Sequence, residues 1–232
     1  MVQVTNPLYT TVRLKFRKVG DLQYISHLDL VRTMQKVLTR AGLKLWYTEG
    51  FNPKPKMIFA APLSVGIESE CELLDIRLIE VPEMQKIVDS INERLGDGIR
   101  ITEAYIPDKP FTELAWLSYT VEIKTNGQSS ELAQKIEELL TGEKLEILKN
   151  TKKGEALVDI RPLIRSANAT FNGDVIILNA TLSANPQAFL NPDNLIKAMR
   201  ERLGVLSSPK LTEEYYTVMR NQTYCSDMTE FK

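Results

Sequence analysis

Histidine and cysteine are nearly missing from this 232-residue chain, which has one histidine, His27, and two cysteines, Cys71 and Cys225. Without clustered ligand spacing, that set cannot by itself hold a structural zinc or an iron–sulfur cluster, so neither metal nor other cofactor is expected. Two cysteines so far apart read as free thiols rather than as a bridge. An excess of charge is missing too: 29 Lys and Arg face 30 Asp and Glu, a formal net charge of −1. Bulk attraction to nucleic acid is thereby excluded, and any electrostatic argument must rest on a local patch. No apolar run approaches the ~20 residues of a membrane span, and Met1 to Thr10 has neither a charged n-region nor an apolar h-region, which predicts a cytoplasmic protein with no membrane partner. G-x-G-x-x-G, Walker and G-x-S-x-G motifs are also absent, so common nucleotide and acyl-transfer chemistry lacks its signature.

What is present is a rhythm of elements, given twice. Val12 to Lys18 alternates apolar and basic residues, the pattern of a strand with one buried face. Ser26 is placed to cap a helix running to about Ala41, with Gly42 as its stop. Met57 to Pro62 and Leu74 to Leu78 read as hairpin strands, Pro82 opens a second helix ending at Gly96, and a last strand spans about Ile99 to Ile106. After Pro107 and Pro110 the order returns: a strand with Tyr119, Val121 and Ile123 on one face, then a helix from near Ser129. Ala156 to Ile164 and Val175 to Leu182 are expected as strands, with a turn at Asn172-Gly173. Asn191-Pro192 opens a helix closed by Gly204, and Tyr215 to Arg220 supplies the final strand. The expectation is an α+β fold of two tandem ferredoxin-like βαββαβ units with antiparallel sheets, over 11–107 and 113–224.

Charge is not evenly spread over this plan. Between Thr11 and Ala60, ten cations face only Asp21, Asp29 and Glu49, leaving about +7 on one stretch of a nearly neutral protein. With Val12, Leu14 and Phe16 pointing inward, Arg13, Lys15 and Arg17 are expected on the open sheet face. Arg32, Lys36 and Arg40 repeat along one helix flank, where like charges repel by ~0.2–0.5 kcal/mol per pair. The loop EGFNPKPK adds Lys54 and Lys56, each directly after a proline, near Phe51, an aromatic on which a base can stack. These nine residues form a candidate nucleic-acid-binding set. The bland alternative pairs the strand cations with Asp75 on the neighbouring strand and leaves the helix flank merely solvated. Lys152, Lys153, Arg161 and Arg165 make a thinner cluster in the second half.

His27, near Tyr24 in the chain, follows the capping Ser26. A helix N-terminus disfavours a cation and keeps an imidazole available as a base, the ingredient that metal-independent RNA cleavage requires. A surface or cap role is the simpler reading of such a histidine. Glu68, Glu70 and Glu72, at period two, read as a solvated strand edge rather than a metal site, and Met57, Ile58 and Phe59 as core.

The segments YISHLDLVRTMQKVLTRAGL, YTEGFNPKPKMIFAAPLSVGIESECE and DIRPLI resemble an uncharacterised bacterial family known as radical SAM-linked proteins. Its members are often encoded beside, or fused to, a radical S-adenosylmethionine enzyme, and the resemblance implies a companion role in which the cluster belongs to the partner. Relatives often carry histidine where Lys54 stands, and lysine there suits a phosphate contact rather than a proton transfer. At fold level the chain is also similar to the RNA-processing endonucleases of CRISPR systems, but their glycine-rich loop near the C-terminus has no counterpart, since 210–232 contains no glycine. The expected function is an RNA-binding, substrate-presenting partner of a radical SAM enzyme acting on tRNA, rRNA or a ribosomal component, with no catalytic activity of its own. Two alternatives stand beside it: a metal-independent endoribonuclease using His27 with Tyr24, and a module that docks on the enzyme through Phe51 without touching RNA.

Overall fold

In the computed structural model, which describes residues 9–151, 154–210 and 212–232, the alternation from Val12 to Phe16 forms a strand, β1 (Thr10–Lys18). The architecture is mixed α+β, and the chain divides into two units, one ending at Phe111 and including Lys232, the other Thr112–Phe231. In the first unit β1 is followed by α1 (His27–Arg40), β2 (Met57–Phe59), β3 (Ile67–Leu78), α2 (Met84–Asn92) and β4 (Ile99–Tyr105). β1 pairs antiparallel with β3 and β4, and β2 pairs antiparallel with β3, giving the spatial order β4-β1-β3-β2. Ser26 caps α1 as its position predicts: its hydroxyl oxygen accepts the Asp29 N–H at 3.1 Å, and the hydroxyl donates to the Asp29 carboxylate at 2.7 Å. Met34 and Leu38 of α1 and Ile87 and Ile91 of α2 are buried against Val12, Leu14 and Phe16, so one sheet face is the core. Each such side chain contributes about 1.5–3 kcal/mol by leaving water.

The ladders on both sides of β1 are irregular, but the extra residue lies on the neighbouring strand each time, so the alternation of β1 runs unbroken and decides where its basic side chains go. Its register shifts between Phe16 and Lys18 against β3, and between Lys15 and Phe16 against β4. Following Val12, Leu14 and Phe16 at period two, Lys18 points into the interior, 1% exposed, with Nζ donating to the carbonyls of Leu22 (3.1 Å), Gln23 (3.4 Å) and Ile67 (3.1 Å). Beyond the bulge the Val19 N–H donates to the Gly98 carbonyl at 2.8 Å. Gly98 has φ +87°, and a Cβ there would lie 2.7 Å from the Val19 oxygen, so only glycine lets β4 start this close to β1.

The second unit holds β5 (Trp116–Lys124), α3 (Ser130–Thr141), β6 (Glu146–Thr151), β7 (Gly154–Asp159), β8 (Ile164–Asn172), β9 (Val175–Ser183), α4 (Asp193–Leu203) and β10 (Tyr215–Tyr224). Its antiparallel order is β10-β5-β9-β8. The caps are those the sequence signals: Ser129 Oγ accepts the Leu132 N–H at 3.2 Å, Asn191 Oδ1 accepts that of Asp193 at 3.0 Å, and Gly204 closes α4. The strand expected from Ala156 to Ile164 does not exist as one element. β7 pairs with β6 in a separate hairpin, and β8 begins afresh at Ile164. The break has a local cause: Ile160 takes a helical backbone (φ −96°, ψ −5°), Pro162 occupies the tight turn Arg161–Leu163, and the Asp159 carboxylate accepts the N–H groups of Leu145 and Arg161. Cys71 and Cys225 are free thiols, both buried.

Candidate nucleic-acid interface

The cations of β1 do not share one fate. Arg13 is 0% exposed, and its guanidinium grips Asp75 of β3 with Nε to Oδ1 at 2.7 Å and NH2 to Oδ2 at 2.9 Å. The Phe111 ring lies over it, 4.1 Å from guanidinium carbon to ring centroid. Burial raises the Asp75 carboxyl above its ordinary value, and the hydrogen bonds and charge of Arg13 offset this only in part. Lys15 is half-buried, with Nζ 3.9 Å from Glu103 of β4. The expectation that the open face presents Arg13 and Lys15 to a ligand is therefore corrected: carboxylates on the two neighbouring strands already face them. Arg17 alone of the three is exposed and makes no ion pair among the described residues.

The flank of α1 is solvated. Arg32 bonds Asp29 one turn earlier at 3.0 Å; the Ser26 hydroxyl first, and then Arg32, hold the Asp29 carboxyl below its ordinary value. Lys36 and Arg40 are exposed and make no ion pair among the described residues. At the other end of the helix, His27 is exposed and stands edge-on to Phe59, with ring centroids 5.2 Å apart, while Tyr24 is 65% exposed. Among the described residues no hydrogen bond joins His27 to Tyr24, so the pair that the endoribonuclease alternative needs is not assembled.

The basic loop is a finger rather than a wandering connection. Before it, Leu45 bridges Leu78 and the Trp46 N–H donates to the Arg77 carbonyl; after it, Met57 takes up pairing at Ile76. The chain thus leaves the edge of β3 and returns to the next position, extruding residues 47–56. Its arms are tied by the Tyr47–Pro55 bridge, by Thr48 N–H to Lys54 O at 2.9 Å, and by Lys56 N–H to Trp46 O at 3.2 Å. At the base, Arg77 lies 4.1 Å over the Tyr9 ring and 5.3 Å from that of Trp46, a cation held between aromatics. At the tip, Gly50 turns with φ +118°, and Phe51 stands at 113% exposure, more open than in an extended chain. Lys54 is exposed and Lys56 half-buried, and neither makes an ion pair among the described residues. Tyr47 and Ile58 also show open apolar surface, which corrects the assignment of Ile58 to the core, while Met57 and Phe59 do pack against it.

The structure therefore places Phe51, Lys54 and Lys56 on one finger, leaves Lys36 and Arg40 without an ion pair among the described residues on the helix that leads into it, and removes Arg13. Sequence reasoning missed Arg100 of β4; its Cα partner is Arg17, a pairing no local sequence pattern announces. The acidic run Glu68–Glu72 is part of β3, which begins at Ile67 rather than Leu74. Only Glu70 there is fully exposed: Glu72 is buried, and Glu68 accepts the Gly20 N–H, so the solvated-edge reading holds for one residue of three. In the second unit Arg161 is spent on the carbonyls of Gly142 and Ile164, and Arg165 lies 5.5 Å from the Trp116 ring; Lys152 and Lys153 lie outside the described residues. No helix of the described residues is long and apolar enough to cross a membrane, and no group of three or more potential metal ligands occurs among them.

Residues 11–192 match the model of a family described as an uncharacterized protein conserved in bacteria (DUF2344). No curated protein matches the chain. Among solved structures, the chain is similar over 91% of its length to a chain of a Cbf5–Nop10–Gar1 complex, at 10% identity and a TM-score of 0.49, and it spans 48% of that chain, about half. An unknown protein from Galdieria sulphuraria is 8% identical, with 91% and 98% of the two chains covered and a TM-score of 0.27. An encapsulated DyP-type peroxidase from Mycobacterium smegmatis is 12% identical, with 93% of each chain covered and a TM-score of 0.23. At these scores none of the three likenesses bears on function.

Proposed function

The chain belongs to the DUF2344 family, and from that starting point we propose that it is an RNA-binding accessory protein whose finger presents a substrate RNA to a radical S-adenosylmethionine enzyme. One observation carries the RNA half of this reading: a phenylalanine fully open to water at the tip of a hydrogen-bonded finger, with the uncommitted lysines 54 and 56 on its return arm. A bare aromatic costs solubility unless something stacks on it, and lysines beside it suit the phosphates that accompany an unpaired base. The tied arms and aromatic base limit the ordering required when a ligand arrives. The partner enzyme is inferred from the resemblance of the three segments around His27, around the finger and at DIRPLI, and the RNA is tRNA, rRNA or a ribosomal component in that reading. On the same footing each unit is read as ferredoxin-like, since the orders β4-β1-β3-β2 and β10-β5-β9-β8 correspond strand for strand once the hairpin β6–β7 is set aside as an insertion.

Phe51→Ala tests the reading at its centre. Loss of one stacked base, worth about 1–3 kcal/mol, lowers affinity for single-stranded RNA roughly 5- to 150-fold with the fold intact. Unchanged affinity in Phe51→Ala removes the finger from the RNA site. Absence of RNA binding in the unmodified protein makes Phe51 a docking anchor for another protein instead.

A further inference from the structure

Along the open face of the β1–β4 ladder each cation meets a neighbour suited to it, until the last pair. Arg13 lies opposite Tyr105 and grips Asp75; Lys15 lies opposite Glu103. Next comes Arg17, directly opposite Arg100. Both are exposed, and neither makes an ion pair among the described residues. Ile99 and Ile101, on either side of Arg100, are buried in the core beneath the helices, so Arg100 points to the other face and Arg17 shares it. Directly opposed side chains of an antiparallel pair have Cβ atoms about 4.5–5.5 Å apart, and like charges there are destabilising. Across the bulge β3 offers Glu70, exposed and also without an ion pair among the described residues.

This like-charged pairing is held in register from both sides. On the inner side Gly98 permits the close approach of β4 to Val19. On the outer edge of β4 the Asn92 side chain bonds both the N–H and the carbonyl of Ile101, each at 2.9 Å. Two guanidinium forks carried at paired positions of adjacent strands can reach the oxygens of one phosphate, an anion that turns their repulsion into attraction. We propose that Arg17 and Arg100 together clamp a single phosphate group, and that the group comes from the backbone of the RNA gripped by the finger. That source rests on the RNA reading; the clamp itself does not. The finger leaves the sheet beside Arg77, opposite Thr11, so the clamp sits six residues further along β1, about 20 Å at 3.3 Å per residue, a reach of several nucleotides.

The test uses the full chain with two probes, inorganic pyrophosphate and labelled oligouridine. Pyrophosphate is expected to raise the melting temperature of the unmodified protein, and Arg17→Thr or Arg100→Thr alone to abolish that rise, while each variant without ligand melts no lower than the parent. For oligouridine the slope of log affinity against log salt falls by the same ~0.7 in either single variant and in the double variant, because one phosphate is lost in all three. A pyrophosphate shift that is absent in the parent, or that survives in both single variants, overturns the clamp. Slope losses that add in the double variant also overturn it, since each arginine then meets its own phosphate. An arginine-dependent pyrophosphate shift in a protein that does not bind oligouridine keeps the clamp, assigns it to a free phosphate compound, and removes the RNA reading alone.

Discussion

Arg13 is withdrawn from water entirely, and Asp75 compensates it with two hydrogen bonds. Removing one member of such a pair leaves an unmatched buried charge, so Asp75→Ala is expected to cost about 3–5 kcal/mol in urea denaturation. Replacing both, as in Arg13→Met with Asp75→Leu, should be close to neutral and should leave RNA affinity unchanged; a large loss of affinity in that folded double variant would return Arg13 to the binding site. His27 has an aromatic neighbour in Phe59 and no hydrogen bond to Tyr24 among the described residues, and labelled RNA incubated with the protein in EDTA is expected to stay intact on a gel. Cleavage that disappears in a folded His27→Ala variant would favour the endoribonuclease alternative. At this scale the sequence is informative about partners but not about exposure. Asp75 is visible as a match for the β1 cations and alternation alone turns Lys18 in and Arg17 out, whereas nothing local announces that Arg13 is fully covered beneath Phe111 while Arg17, four residues further on, stays open.

Elements with local punctuation are the legible ones. Ser26, Ser129 and the Asn191-Pro192 to Gly204 frame each place a helix where its cap demands, because capping is decided within a few residues. The finger reads from sequence only as a proline-stiffened loop, since its stiffness comes from backbone bonds between its arms and from β3, more than twenty residues away. The strand expected from Ala156 to Ile164 overruns the end of β7 and stops where β8 begins, because the apolar residues on either side of Asp159 and Pro162 outweigh those two breakers in a reading by pattern alone. In the first unit, Gly98→Ala should destabilise the fold and weaken protection of the Val19 amide in hydrogen exchange, because a Cβ collides with the Val19 carbonyl. In the second unit the buried Glu214 accepts the Thr125 hydroxyl at 2.5 Å, the Asn126 N–H at 2.8 Å and the Ser208 N–H, and these bonds, the hydroxyl first, hold its carboxyl below the ordinary 4.5. A lowered folded value means that Glu214 stabilises the fold above about pH 4.5 and loses that contribution as pH falls through the folded value. Glu214→Gln should therefore melt lower at neutral pH and show a shallower acid limb; an unaltered acid limb would deny the linkage.

For the molecule as a whole, a net charge of −1 means that any hold on RNA comes from a few placed cations rather than from a diffuse field. Among the described residues Lys36, Arg40, Lys54 and Lys56 make no ion pair on α1 and the finger, and with one further phosphate held by Arg17 and Arg100, ~0.7 counterions released per single-strand phosphate imply a salt slope of about −3.5. A protein that used its whole basic stretch would show a steeper slope, and one that docked only on protein would show none. The measurement that tests this most directly is fluorescence anisotropy of labelled tRNA and rRNA fragments, in EDTA, from low to physiological salt, for the parent chain and for Phe51→Ala/Lys54→Glu/Lys56→Glu. The expected result is log affinity falling linearly with log salt in the parent, and a folded triple variant whose affinity drops at least tenfold with a shallower slope. No binding at low salt, or equal affinity and slope in the two proteins, would contradict it.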